Sequence, residues 1–184
     1  MTFFFSLTQA RTIGPVLAAL WFLPCTVFGQ TNAPFEGTEQ SAYFDFWPGV
    51  WHEIVDGQPD PSATTFVVRR GVHPAAYVEE WTQVDDGIAR KSFAIRAWDQ
   101  INDRWQFTWI SENALYQNWD TERVGDDWYI VKEWNIDGKV FLTRQAWIAD
   151  GPNSLTRVFE RSFDNRASWE LVSKTKFQRV GDHK

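Results

Sequence analysis

The side chains that could do chemistry in this 184-residue chain are few and scattered. Glu79 and Glu80 are adjacent carboxylates inside a run of alternating residues, 76–83. Neighbouring residues of a strand face opposite sides, so the two cannot oppose one another from that strand alone. Glu79 shares a face with Tyr77 and Trp81. An inward carboxyl among rings has its pKa raised by desolvation, the setting of a general acid or base. A buried ion pair of Glu79 with Arg157 or Arg144 is the favoured reading, since structural pairs also perturb pKa values. Arg157 carries the planar fork that matches a carboxylate, and Tyr116 is a third catalytic candidate beside these two. Asp45 is read as a cap of the segment 46–49 rather than a reacting group. His52, His73 and His183 are far apart and show no ligand spacing, so no metal site is expected. The chain has no Gly-x-Ser-x-Gly elbow, no Cys with a partnered His and no phosphate-cradling Gly loop. No cofactor is expected.

Those side chains need a frame. From Phe44 onward no stretch keeps apolar residues at helical spacing for three turns; short alternating runs broken by turn residues dominate. The runs are 50–55, 64–70, 76–83, 88–98, 105–111, 115–121, 128–136, 140–148, 155–163 and 169–180. Asp85-Asp86-Gly87, Gly125-Asp126-Asp127, Asp137-Gly138 and Asp150-Gly151-Pro152-Asn153 are among the turns. About ten strands joined by hairpin-length turns predict an all-β chain, a single antiparallel up-and-down β-barrel over 44–180.

A one-residue parity decides which side chains face inward. Tyr77, Glu79 and Trp81 share a face, as do Trp105, Phe107 and Trp109. So do Phe141, Thr143, Gln145 and Trp147, and likewise Leu155, Arg157, Phe159 and Arg161. With these faces inward, the barrel encloses a ring-lined space with Glu79, Gln145 and Arg157 as isolated polar groups, the make-up of a small-molecule site. The expected ligand-binding set is these residues without Phe141, Thr143, Leu155 and Arg161. The competing reading is an interior filled by side chains, for which Trp is well suited.

Composition narrows the partners. Lys+Arg 18 against Asp+Glu 24, a net charge of −6, lacks the basic footprint that nucleic acid or an anionic membrane needs. Twelve Trp and 15 Phe beside one Met and one Cys make an interior of rings rather than of flexible side chains. Residues 1–29 carry a single charge, Arg11, then an apolar run over 13–23 and small residues up to Gly29. That is the layout of a secretory signal peptide, too short and too broken by Pro15 and Pro24 to span a bilayer well. The expected organisation is a signal peptide over 1–29, a flexible leader over 30–43 and the barrel over 44–180. The product is then periplasmic or secreted, with no membrane span in the mature chain. A lipid anchor through Cys25 is the minority reading. Cleavage after Gly29 removes the sole Cys and with it any disulfide.

The folded region opens with Phe44-Asp45-Phe46-Trp47-Pro48-Gly49-Val50-Trp51. Glu79-Glu80-Trp81 follows, then Asp99 with Trp105 and Trp109, Trp147, Glu160-Arg161-Ser162 and Trp169. Together these resemble a bacterial family of lipocalin-like, calycin-type barrels of unknown function, over about residues 44–180. The resemblance implies a barrel closed at one end, with Trp51 as its plug, and no particular reaction. It leads one to expect a Gln on the ninth strand; this chain has Arg157 there, which favours an anionic ligand. The late-strand His of related haem-binding barrels has no counterpart, so haem is not expected.

Three readings follow. The first is an exported binding protein for a small, largely apolar ligand, anionic if Arg157 anchors it. The second is a lipocalin-like isomerase, cyclase or lyase using Glu79, Arg157 and Tyr116. The third is a Trp-rich carbohydrate-binding module, which needs rings exposed in a row.

Overall fold

The computed structural model describes Phe35 and residues 37–182. The signal segment expected over 1–29, with Cys25, and His183 lie outside the described residues. Ten strands follow one another: β1 (Gly49–Val55), β2 (Gln58–Arg70), β3 (Ala76–Asp85), β4 (Ile88–Asp99) and β5 (Arg104–Ser111). Then come β6 (Tyr116–Val124), β7 (Asp127–Ile136), β8 (Lys139–Gly151), β9 (Ser154–Ser162) and β10 (Glu170–Gly181). Each pairs antiparallel with its sequence neighbours, and β1 closes on β10. The result is a closed up-and-down barrel, consistent with a lipocalin-like or calycin-like fold.

Every run of alternation is a strand. The largest difference in bounds is at β2, which begins at Gln58 rather than near Thr64. Pro59 and Pro61 make that stretch read as a turn, because proline cannot donate to a ladder. Here Ile54 faces Pro59 and Glu53 faces Asp60, and the register then jumps to His52 opposite Thr65. Residues 61–64 bulge out of the ladder, and the Asp60 carboxylate accepts the Ser62 N–H at 2.8 Å and its hydroxyl at 2.7 Å.

Residues 38–43, expected as the last part of a flexible leader, form hydrogen-bonded turns. Thr38 N–H donates to Ser41 Oγ at 2.8 Å, and Ser41 N–H returns to Thr38 Oγ1 at 3.1 Å. Further backbone turns carry the chain to Trp47, whose N–H donates to the Phe44 carbonyl at 2.9 Å. This entry segment shares its end of the barrel with the turns after β2, β4, β6 and β8. The turns after β1, β3, β5, β7 and β9 make the other end.

The entry half is packed with rings. Phe44 meets Trp105 edge-on with centroids 4.9 Å apart, and Trp47 lies 5.1 Å from Phe66, which stacks on Trp81 at 4.0 Å. Such ring pairs add specific geometry to a large buried area. Trp51 is fully buried, and its Nε1 donates to the Trp47 carbonyl at 3.0 Å. The Arg179 guanidinium lies 4.9 Å above the Trp51 ring and donates to the Phe46 carbonyl at 2.6 Å. Gly49, at φ +143°, is what admits it: a Cβ there would stand 3.0 Å from Arg179 Cδ. The plug is therefore shared by Trp51, Trp47 and Phe44.

A satellite cluster sits outside the wall, where Tyr129, Val131, Leu142 and Ala146 are covered by Ile148 and Trp169. Trp169 precedes β10 and lies under the Arg144 guanidinium at 4.1 Å. Among the described residues no helix is long and apolar enough to cross a membrane.

Candidate ligand cavity

Above the packed half the barrel encloses a cavity of about 390 Å³. One wall comes from β8 and β9. The register sets Trp147 opposite Arg157, Gln145 opposite Phe159 and Thr143 opposite Arg161, from floor to mouth. Phe107, Trp109, Trp119 and Trp134 line the cavity from β5, β6 and β7, with Trp81 from β3. Leu115 and Ile136, half exposed, and Phe141 stand at the mouth. Parity places all of these inward, as alternation along a strand requires.

Under the floor lies a filled polar centre. Glu79, fully buried, accepts from Trp47 Nε1 at 2.9 Å, Trp81 Nε1 at 3.0 Å and Arg96 Nε at 2.9 Å. The Arg96 guanidinium faces the rings of Phe44 at 4.4 Å, Trp147 at 4.7 Å and Phe107 at 5.0 Å. Glu79 is therefore in a buried ion pair, but its partner is Arg96 rather than Arg157 or Arg144. The register explains this: Glu79 pairs with Ala94, and Arg96 is the next inward residue of β4. Arg144 points outward, where it donates to Glu160 at 2.6 Å and Glu122 at 3.3 Å. With three donors already on it, Glu79 does not line the cavity and has no free face toward a ligand there.

Other candidates also sit elsewhere. Tyr77 and Trp105 stack at 5.9 Å in the packed half. The Tyr77 hydroxyl donates to Asp45 at 3.1 Å, and burial pushes its pKa well up. Asp45 is thus a receiver for Tyr77 and for Arg70 Nη2, at 3.1 Å, rather than a cap. Tyr116 is on the outer face, 59% exposed, and donates to Asn118. Trp81, Phe107, Trp109, Gln145, Trp147, Arg157 and Phe159 of the expected set do line the cavity. Gln117, Trp119, Trp134 and Arg161 line it as well and were outside that set. Arg161 was legible from its parity with Arg157, and Gln117 with Trp119 from their own alternation.

The electrostatics of the cavity are one-sided. Among the described residues its lining holds no carboxylate, imidazole, thiol or amine, and its charged groups are Arg157 and Arg161. Two of its Trp donors are satisfied internally: Trp119 Nε1 by Gln117 Oε1 at 2.9 Å, and Trp134 Nε1 by Thr143 Oγ1 at 2.8 Å. Arg157 Nε and the facing Trp147 Nε1 are buried with no acceptor. Burial pushes the Arg157 pKa down, and only the charge of Glu53 opposes this. Orphaned buried donors of this kind are costly and uncommon.

Among the described residues no group of three or more His, Cys, Asp or Glu is placed to hold a metal ion. No described Trp is exposed, so these residues offer no flat Trp platform of the kind a carbohydrate-binding module uses. A scan against protein-family models and a search of curated proteins return no match for this chain.

Proposed function

We propose that this protein is an exported carrier of a small, largely apolar anion, held in the barrel cavity with its acidic group on Arg157. One observation carries the reading: Arg157 stands at the floor of a largely aromatic cavity without a hydrogen-bond acceptor on its Nε, beside the equally orphaned Trp147 Nε1. A carboxylate against the Arg157 guanidinium compensates its buried charge, while the surrounding rings cover an apolar body. Export rests on the signal-like residues 1–29, and kinship with the bacterial lipocalin-like family on the Phe44 to Trp51 opening. The enzymatic reading loses its acid–base residue, because Glu79 is saturated beneath the floor.

The cavity Trp rings supply the assay. Dodecanoate should change the intrinsic Trp fluorescence saturably, and dodecanol should bind at least about tenfold more weakly, the value of a charge-assisted hydrogen bond. Equal affinity for acid and alcohol overturns the role of Arg157, and absence of binding by either overturns the carrier reading. Mass spectrometry of what co-purifies with native protein should find an acidic, apolar compound.

A further inference from the structure

The arginines of this barrel divide into two groups. Among the described residues that are not fully exposed, Arg69 is held by Glu80, Arg96 by Glu79, Arg144 by Glu160 and Arg179 by the Phe46 carbonyl. Arg157 and Arg161 are the exceptions: neither guanidinium donates a hydrogen bond to a described residue, the Nε of each is buried with no acceptor, as that of Arg179 also is, and both line the cavity. They stand four residues apart on the same face of β9, with Phe159 between them. At the rise of an antiparallel strand that separates their Cα atoms by roughly 13 Å along β9. Arg157 lies opposite Trp147 at the floor and Arg161 opposite Thr143 toward the mouth. Arg161 is braced by rings, its guanidinium 5.7 Å from Phe141 and 5.6 Å from Phe163. The outward arginine nearest in register, Arg144, has two carboxylates; the inward pair has none in the lining.

We infer that the cavity holds an elongated apolar dianion, one acidic group on Arg157 at the floor and a second on Arg161 at the mouth. This rests on the carrier reading of the same cavity and narrows it to a substrate class. The second acid sits where Leu115 and Ile136 are half exposed, so its desolvation is incomplete and its bond to Arg161 is a net gain. The apolar body between the two acids lies along Phe159 and the facing Trp rings. An α,ω-dicarboxylate with a chain of ten to twelve carbons has the matching span.

The test compares dodecanedioate with its monomethyl ester, equal in length and apolar body but with one carboxylate, by Trp fluorescence titration at neutral pH. The wild-type protein should bind the diacid about tenfold more tightly than the ester. Arg161→Met should abolish that difference while leaving ester affinity within about twofold, and Arg157→Met should weaken both. Equal binding of diacid and ester by the wild-type protein overturns the second anionic subsite yet leaves the carrier reading standing. A preference for the diacid that survives Arg161→Met overturns the assignment of Arg161, whose role is then to clamp Phe141 and Phe163. Failure of both ligands to bind overturns this inference together with the carrier reading. The wild-type comparison needs no variant to fold.

Discussion

Arg96 donates its Nε–H to Glu79 at 2.9 Å where the packed half of the barrel meets the cavity, and both side chains are fully buried. The pair closes the floor of the cavity from below. The rest of the Arg96 charge is spread against rings, since its Nη2 has no acceptor.

Breaking that pair from one side should be expensive. Arg96→Met removes the counter-charge of a fully buried carboxylate and leaves Glu79 with two indole donors, and should cost about 3–5 kcal/mol in urea unfolding. The double variant Glu79→Leu with Arg96→Met should recover most of the loss, because it removes both charges together. A single variant within about 1 kcal/mol of wild type contradicts a structural role for the pair.

Trp51 and Gly49 make a second prediction about stability. Trp51→Ala removes a fully buried ring and should cost roughly 3–5 kcal/mol, read as a fall in melting temperature. Gly49→Ala should also destabilise, since φ is +143° and the new Cβ meets Arg179. An unchanged melting temperature in both would show that the plug is not held by this contact.

Arg157→Met should lower affinity for dodecanoate about ten- to a hundredfold and leave dodecanol nearly unchanged, the loss of one charge-assisted bond pair. Isothermal titration of the two ligands on the two proteins measures it. Arg144→Met, on the outer face, should leave both affinities as they are; an equal loss there would mean that the effect is general destabilisation.

The loop between β9 and β10 should respond to acid. Asp164 accepts from Ser168 N–H at 2.9 Å, from Ser168 Oγ at 2.6 Å and from Ser162 Oγ at 2.9 Å. These bonds, those from Ser168 foremost, pull its pKa from 3.8 to about 2. A carboxylate lowered on folding stabilises above its unfolded pKa, and the contribution disappears as pH falls through the folded value. Between pH 4 and about 2 the loop should therefore loosen and the signal of Trp169 should change. Asp164→Asn should flatten that response; an identical acid profile in the variant would assign it to other carboxylates.

The number of strands, their order and the inward faces of β3, β5, β8 and β9 were all written in the alternation of the chain. Each depends on a local rule, the two-residue period of a strand and the turn residues between runs. Parity alone put Glu79, Gln145 and Arg157 on inward faces. What parity does not carry is height along the barrel axis or register between strands. Those decided that Glu79 and Tyr77 lie in the packed half while Arg157 and Phe159 border the cavity. They also gave Glu79 to Arg96 rather than to Arg157, because an ion pair is chosen by cross-strand register rather than by residue type. Tyr116 was drawn in by its chemistry, yet its parity with Asn118 puts it outside. The division into a packed half and a cavity came from Phe44 and Trp47, whose entry segment folds back into one end of the barrel. A local pattern cannot report such packing, since the contact of Phe44 with Trp105 joins residues far apart in the chain.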